Sequence, residues 1–160
     1  MRWMLAALVL AASPALGDDW GHYASARFGY GVDVPPGFVA QGESANSDGE
    51  TFRTPTATLS VYGATVGKGD FEAAVKQSEA TDKGEGWSIT YQAVTPRNAS
   101  YSGRKGGRVL YVRMIALCGG RQFAAGAIEY GVADLKAFDP VVNRLAKSLQ
   151  VAGTGTDCSH

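Results

Sequence analysis

The chain of 160 residues is long enough for one domain with a buried core, and 45% of its residues are hydrophobic. Fifteen basic and fifteen acidic side chains give a formal net charge of zero, which provides no attraction to nucleic acid or to anionic lipid. We therefore expect neither of them as a partner.

Residues 1–17 have the layout of a secretory signal peptide. Arg2 forms a positive start, residues 4–12 form an apolar run too short for a membrane span, and small residues lead up to Gly17. Cleavage after Gly17 predicts an exported protein, periplasmic or secreted, that begins at Asp18 and has no stable membrane insertion. The alternative is an N-terminal helix that stays uncleaved as an anchor.

The stretch RFGYGVDVPPGF, residues 27–38, alternates apolar and polar side chains and then reaches two prolines. This alternation predicts a half-buried strand, the first of the fold, which the prolines end because they cannot donate ladder hydrogen bonds. Further strands are predicted at residues 50–53 and 57–64. The core side chains of the first strand are predicted to be Phe28, Tyr30, Val32 and Val34.

A change to three-to-four spacing predicts a helix over residues 70–81, with Asp70 as its N-cap. Strands are predicted after it at residues 86–95, 99–103, 108–118 and 121–130. The strand at 108–118 is apolar on both faces except at Arg113, which predicts a central position in the sheet. A hairpin at Gly119-Gly120 would place Arg113 opposite Gly126.

The last helix is predicted to be kinked or divided, because Asp139 and Pro140 resemble an N-cap followed by a first helical residue. Strands with short connections and helices with one apolar stripe predict an α+β fold, a largely antiparallel sheet with helices packed on it. We expect a single domain over residues 18–150, followed by a tail at 151–160.

Cys118 ends the central strand, and Cys158 lies in the C-terminal tail. An even number of cysteines in an exported chain favours pairing, so we predict a Cys118–Cys158 disulfide that ties the tail to the domain. The alternative is a buried free Cys118 and an unpaired Cys158.

The order of elements, with the motifs at residues 28–38 and 138–149, resembles the Mog1/PsbP-like fold, in particular small exported bacterial proteins of unassigned role. The resemblance implies an α/β/α sandwich. It also implies relatives that mostly bind other proteins, since the founding members are a Ran-GTPase-binding protein and an extrinsic photosystem II subunit. None of their partner-binding positions matches a residue of this chain.

No motif in the sequence predicts catalysis, a cofactor or a metal site. The string GATVGKGD, residues 63–70, lacks the spacing and the hydroxyl residue of a phosphate-binding loop, so we interpret it as a strand-to-helix connection. The basic stretch at residues 102–108 is interpreted as a hairpin turn. His22 and His160 lie near the termini, away from the rigid elements that a catalytic or metal site needs.

Two features could still bind a ligand. Arg113 could anchor a ligand carboxylate, it could pair inside the fold with Glu129, Asp33 or Glu50, or its side chain could reach the rim of the sheet. An aromatic face is the second feature, although large aromatic side chains on strands are more often core. Its members would be Trp87, Tyr91, Tyr111 and Tyr62.

The leading hypothesis is an exported, non-enzymatic interaction or accessory protein of the cell envelope, with a protein partner. A small-ligand binding module that uses Arg113 and the aromatic face is the alternative. A hydrolase whose site forms only in the folded chain is a third.

Overall fold

The computed structural model describes residues 19–152 and residue 158, so the predicted signal peptide and most of the C-terminal tail lie outside the described residues. The elements of this part of the chain are, in order, β1 (Gly21–Ser25), β2 (Tyr30–Val34), β3 (Val39–Glu43), β4 (Gly49–Arg53), β5 (Thr58–Thr65), α1 (Phe71–Gly84), β6 (Ser88–Val94), β7 (Asn98–Lys105), β8 (Arg108–Leu117), β9 (Gln122–Gly131), α2 (Leu135–Ser148) and β10 (Gln150–Val151).

The strands form two antiparallel sheets, as the α+β prediction requires. The main sheet has seven strands in the order β3-β4-β5-β9-β8-β7-β6, and a smaller sheet has the order β1-β2-β10. Helix α1 packs on one face of the main sheet, and α2 packs on the other face together with the smaller sheet. The two resulting cores lie on opposite sides of β8, which is buried on both faces and central, as predicted.

The strand predicted at residues 27–38 is β2, which begins later, at Tyr30; Phe28 lies in the turn before it, and all four predicted core side chains are buried. It is not the first strand, because β1 precedes it and pairs with it along its whole length. A tight turn joins the two strands, with Gly29 at φ 63° and its N–H donating to the Ser25 carbonyl. β2 therefore belongs to the smaller sheet and packs its apolar face against the main one.

Helix α1 begins where predicted, since the Asp70 carboxylate accepts a hydrogen bond of 2.9 Å from the Ala73 N–H. It ends at Gly84, one turn later than the sequence predicts. The additional turn is closed by a hydrogen bond that the Glu85 N–H donates to the Thr81 carbonyl. This extra turn brings Asp82 onto the helix.

Of the two alternatives predicted for the last helix, the division into two pieces is wrong. Helix α2 runs continuously and contains Pro140 in its interior. The proline costs one backbone hydrogen bond, but its fixed φ is helical. Packing holds the turn before it, since Leu135 and Phe138 join the core and the Phe138 ring stacks on Tyr130 at 4.3 Å between centroids.

A β-bulge in β6 separates side chains that the sequence places on one face. The register shifts between Ile89 and Tyr91, so Ile89 faces α1 whereas Tyr91 pairs with Ser102 on the opposite face. The predicted aromatic face therefore does not form. Trp87 and Tyr62 belong to the core under α1, while Tyr111 packs in the other core.

A disulfide joins Cys118 and Cys158, as predicted, with 5.5 Å between the two Cα atoms. Cys118 lies in the loop between β8 and β9, which keeps the predicted register and places Arg113 opposite Gly126. The tail also adds β10 to β2, and the Ala152 N–H donates to the Gly29 carbonyl. Among the helices of residues 19–152, none has the length and apolar character needed to cross a membrane.

Candidate functional site

A groove lies between α1 and the main sheet, and we call it the α1 cleft. Its volume is about 570 Å³. One wall is the face of α1 that bears Ala74, Ser78 and Asp82, and the other wall consists of Tyr62 of β5 and Phe123 of β9. The two aromatic rings meet edge to face at 6.0 Å between centroids.

Two polar side chains that line the α1 cleft, Ser78 and Asp82, are linked through a third, Tyr101, which is buried outside its lining. The Tyr101 hydroxyl, from β7, donates to an Asp82 carboxylate oxygen at 2.6 Å. Because its single proton is used there, the Ser78 hydroxyl donates to the Tyr101 oxygen at 2.7 Å. Tyr101 itself is fully buried, so this chain of hydrogen bonds fixes Asp82 and Ser78 against a rigid strand.

Burial shifts the acid–base equilibria of this cluster. Burial is the largest of the causes that act on the Asp82 carboxyl, and it raises the pKa of that group. The hydrogen bond from Tyr101 lowers this pKa, and the nearby Glu85 carboxylate raises it. Burial also raises the pKa of Tyr62 and that of Tyr101. Both phenols therefore stay neutral, and Asp82 is the charged member of the cluster near neutral pH.

Asp82→Asn is expected to raise the free energy of unfolding at pH 7. The folded protein disfavours the ionised carboxylate, and this cost is fully present above the folded-state pKa. The cost vanishes below the unfolded-state pKa of about 3.9, where both states hold the proton. Urea unfolding should therefore show that the difference in the free energy of unfolding between Asp82→Asn and wild type becomes smaller from pH 7 toward pH 4. A difference that grows over this range would contradict the assignment.

Arg113 lies on the opposite face of the sheet from the α1 cleft. It donates to Ser100 Oγ at 3.1 Å and to Asn98 Oδ1 at 3.4 Å, and its Nε is buried without a partner among the described residues. The prediction of a carboxylate partner is wrong, because the three candidates are engaged elsewhere. Glu129 pairs with Arg108, Asp33 with His22 and Arg144, and Glu50 accepts the Gly42 N–H. A ligand role for Arg113 stays a prediction.

The strings at residues 63–70 and 102–108 are a strand-to-helix connection and a hairpin turn, as interpreted from the sequence. The first of them nevertheless contributes Lys68 to the α1 cleft. His22 lies on β1, remote from α1, with its Nδ1 at 3.1 Å from an Asp33 carboxylate oxygen. His160 is outside the described residues.

Sequence reasoning missed the cluster of Ser78, Asp82 and Tyr101. These residues come from a helix and a distant strand, and no short motif connects them. One local signal was available, because Ser78 and Asp82 are four residues apart and share a helix face. It was lost because the predicted helix ended at residue 81.

No protein-family model and no curated protein matches this chain. Solved structures do match it. Cyanobacterial PsbP from Synechocystis superposes with a TM-score of 0.61 at 13% identity, covering 89% of this chain and 98% of that one. The chain has a Mog1/PsbP-like fold.

Two Mog1 structures support this Mog1/PsbP-like assignment. The Saccharomyces cerevisiae Ran-binding protein Mog1p gives a TM-score of 0.58 at 14% identity, over 84% of this chain and 96% of that one. A point-mutant form of Mog1 gives a TM-score of 0.59 at 14% identity, covering 85% of this chain and 97% of that one. The expected fold is thereby confirmed.

Proposed function

We propose that this chain is an exported, non-enzymatic binding protein that takes a small ligand in the α1 cleft. The observation that supports this most is that Ser78 and Asp82, which line a groove with an aromatic wall, are both fixed by hydrogen bonds to the buried Tyr101. Concave, mostly apolar sites with a few fixed polar groups are typical of ligand binding.

Export is supported by the signal-peptide pattern of residues 1–17 and by the Cys118–Cys158 disulfide, a bond that persists in oxidising compartments. Protein expressed in a bacterial host is expected in the periplasm or medium with Asp18 as its first residue. N-terminal sequencing checks this, and a chain that still begins with residues 1–17 would contradict it.

The absence of catalysis is part of the proposal. Ser78 is the aliphatic hydroxyl of the cluster, yet it hydrogen bonds to a neutral phenol rather than to an imidazole or amine that could remove its proton. Its hydroxyl therefore serves to orient Tyr101 and a ligand, not to attack one.

Filling the α1 cleft tests the function. Ala74 lines the groove, whereas the nearby Lys76 is exposed on the outside of the same helix. In a thermal-shift screen against small metabolites, wild type and Lys76→Trp are expected to share ligands that raise the melting temperature, and Ala74→Trp is expected to lose them. A screen without any such ligand, or ligands that Ala74→Trp retains, would reject the proposal.

A protein partner is the second candidate, favoured by strand β6. This edge strand of seven residues has no charged side chain, and its Tyr91 is 54% exposed, so its free backbone groups could pair with another chain. A partner captured from envelope extract by wild type should be lost with Tyr91→Lys, because a charge at the edge discourages strand pairing. Capture that is insensitive to this change would reject the edge as the site.

A further inference from the structure

The α1 cleft is elongated along its helix. Its helical wall presents Ala73 and Ala74, then Gln77 and Ser78, then Thr81 and Asp82, one pair from each successive turn. Asp82 follows Ala73 by nine positions, so at 1.5 Å per residue the wall is about 13 Å long. A groove of this shape suits an extended chain better than a compact ring.

The two ends of the α1 cleft have opposite charges. Lys68 lies in the loop before α1, at one end, and Asp82 lies in the last turn of α1, at the other. Within residues 19–152, neither side chain forms an ion pair. The dipole of α1 favours the same orientation of a charged ligand as these two side chains do. Its N-terminus, which follows Lys68, attracts anions, and its C-terminus, near Asp82, attracts cations.

Between Lys68 and Asp82, the α1 cleft is lined by uncharged side chains only. Tyr62 and Phe123 form the sheet side, and the small Ala74 with the polar, uncharged Gln77 and Ser78 belong to the helix side. The loop that presents Lys68 is fixed to the sheet, since the Val66 N–H donates to the Arg121 carbonyl at 2.8 Å. A ligand is therefore expected to have uncharged groups between two charged ends.

We infer that the α1 cleft binds a short, zwitterionic peptide of about four residues, which at 3.3 Å per residue matches the length of the wall. Its free amino group lies beside Asp82 and its free carboxylate beside Lys68. The inference rests on the proposed function and specifies the ligand class of the same site. The Asp82 carboxylate, fixed by Tyr101, accepts the ammonium in a charge-assisted hydrogen bond.

Calorimetric titration with four forms of tetraalanine tests this inference: free, N-acetylated, C-amidated and capped at both ends. Acetylation is expected to weaken binding about tenfold or more, because it removes a bond to a partly buried charge. Amidation is expected to weaken it about threefold, because Lys68 is exposed.

Variants assign each end of the peptide. Asp82→Asn should bind free and acetylated tetraalanine alike, and Lys68→Met should bind free and amidated tetraalanine alike. Lys76→Met, on the outer face of α1, should behave as wild type. Circular dichroism establishes that each variant is folded before it is titrated.

Two results would overturn the peptide inference. One is binding of the doubly capped form as tight as that of the free form, and the other is no binding of free tetraalanine at all. If metabolites from the screen still bind in the α1 cleft and are lost with Ala74→Trp, the proposed function stands and only the ligand class is wrong.

Discussion

Replacing Cys118 and Cys158 together with serine is expected to lower the free energy of unfolding by about 4 kcal/mol. The disulfide closes a loop with a sequence separation of 40, so its loss frees a long segment of the unfolded chain. The folded state loses contacts as well, because the tail that the bond ties down supplies β10 to the edge of β2.

Urea unfolding under non-reducing conditions measures this effect. Wild type that has been reduced and kept reduced is the matched control, and it should unfold at the same urea concentration as the double variant. A double variant within about 0.5 kcal/mol of oxidised wild type, a margin typical of surface substitutions, would contradict a stabilising disulfide.

Gly49→Ala is expected to destabilise the protein by about 3 kcal/mol, the upper end of the range for overpacked sites. A methyl group at Gly49 would overlap with the Val61 carbonyl oxygen and approach the Tyr62 Cα at 2.7 Å. Both are backbone atoms of the neighbouring strand, so no side chain can rotate away, and β4 must separate from β5.

Gly107→Ala is the matched control for this prediction. Gly107 lies in the turn between β7 and β8, where an added Cβ meets nothing within 4 Å. Its effect on the unfolding free energy is expected to be within about 0.5 kcal/mol. Equal effects of the two substitutions would contradict the close approach of β4 and β5. Because Tyr62 lines the α1 cleft, Gly49→Ala should also weaken ligand binding there.

Local patterns were sufficient for much of the fold. The alternation of Phe28, Tyr30, Val32 and Val34 identified four buried side chains, and the two-sided apolar run of β8 identified an interior strand of the main sheet. The Asp70 cap marked the start of α1. These predictions succeeded because each depends on interactions among residues close in sequence or on burial alone.

The errors came from tertiary contacts that a local pattern does not contain. The β6 bulge moves Tyr91 to the opposite face from Ile89, and packing of Leu135 and Phe138 extends α2 through Pro140. Likewise, the fixed position of Asp82 in the α1 cleft depends on a hydrogen bond from Tyr101 of another element, a contact that forms only in the folded chain.

The most direct test of the binding site is to map amide chemical shifts while a ligand from the screen, or tetraalanine, is titrated into the protein. The account predicts that the largest changes fall on the helical wall, residues 73–82, and on residues 62–68 of β5 and the following loop. Changes confined to the edge strand β6, or to the smaller sheet around His22, would contradict a binding site in the α1 cleft.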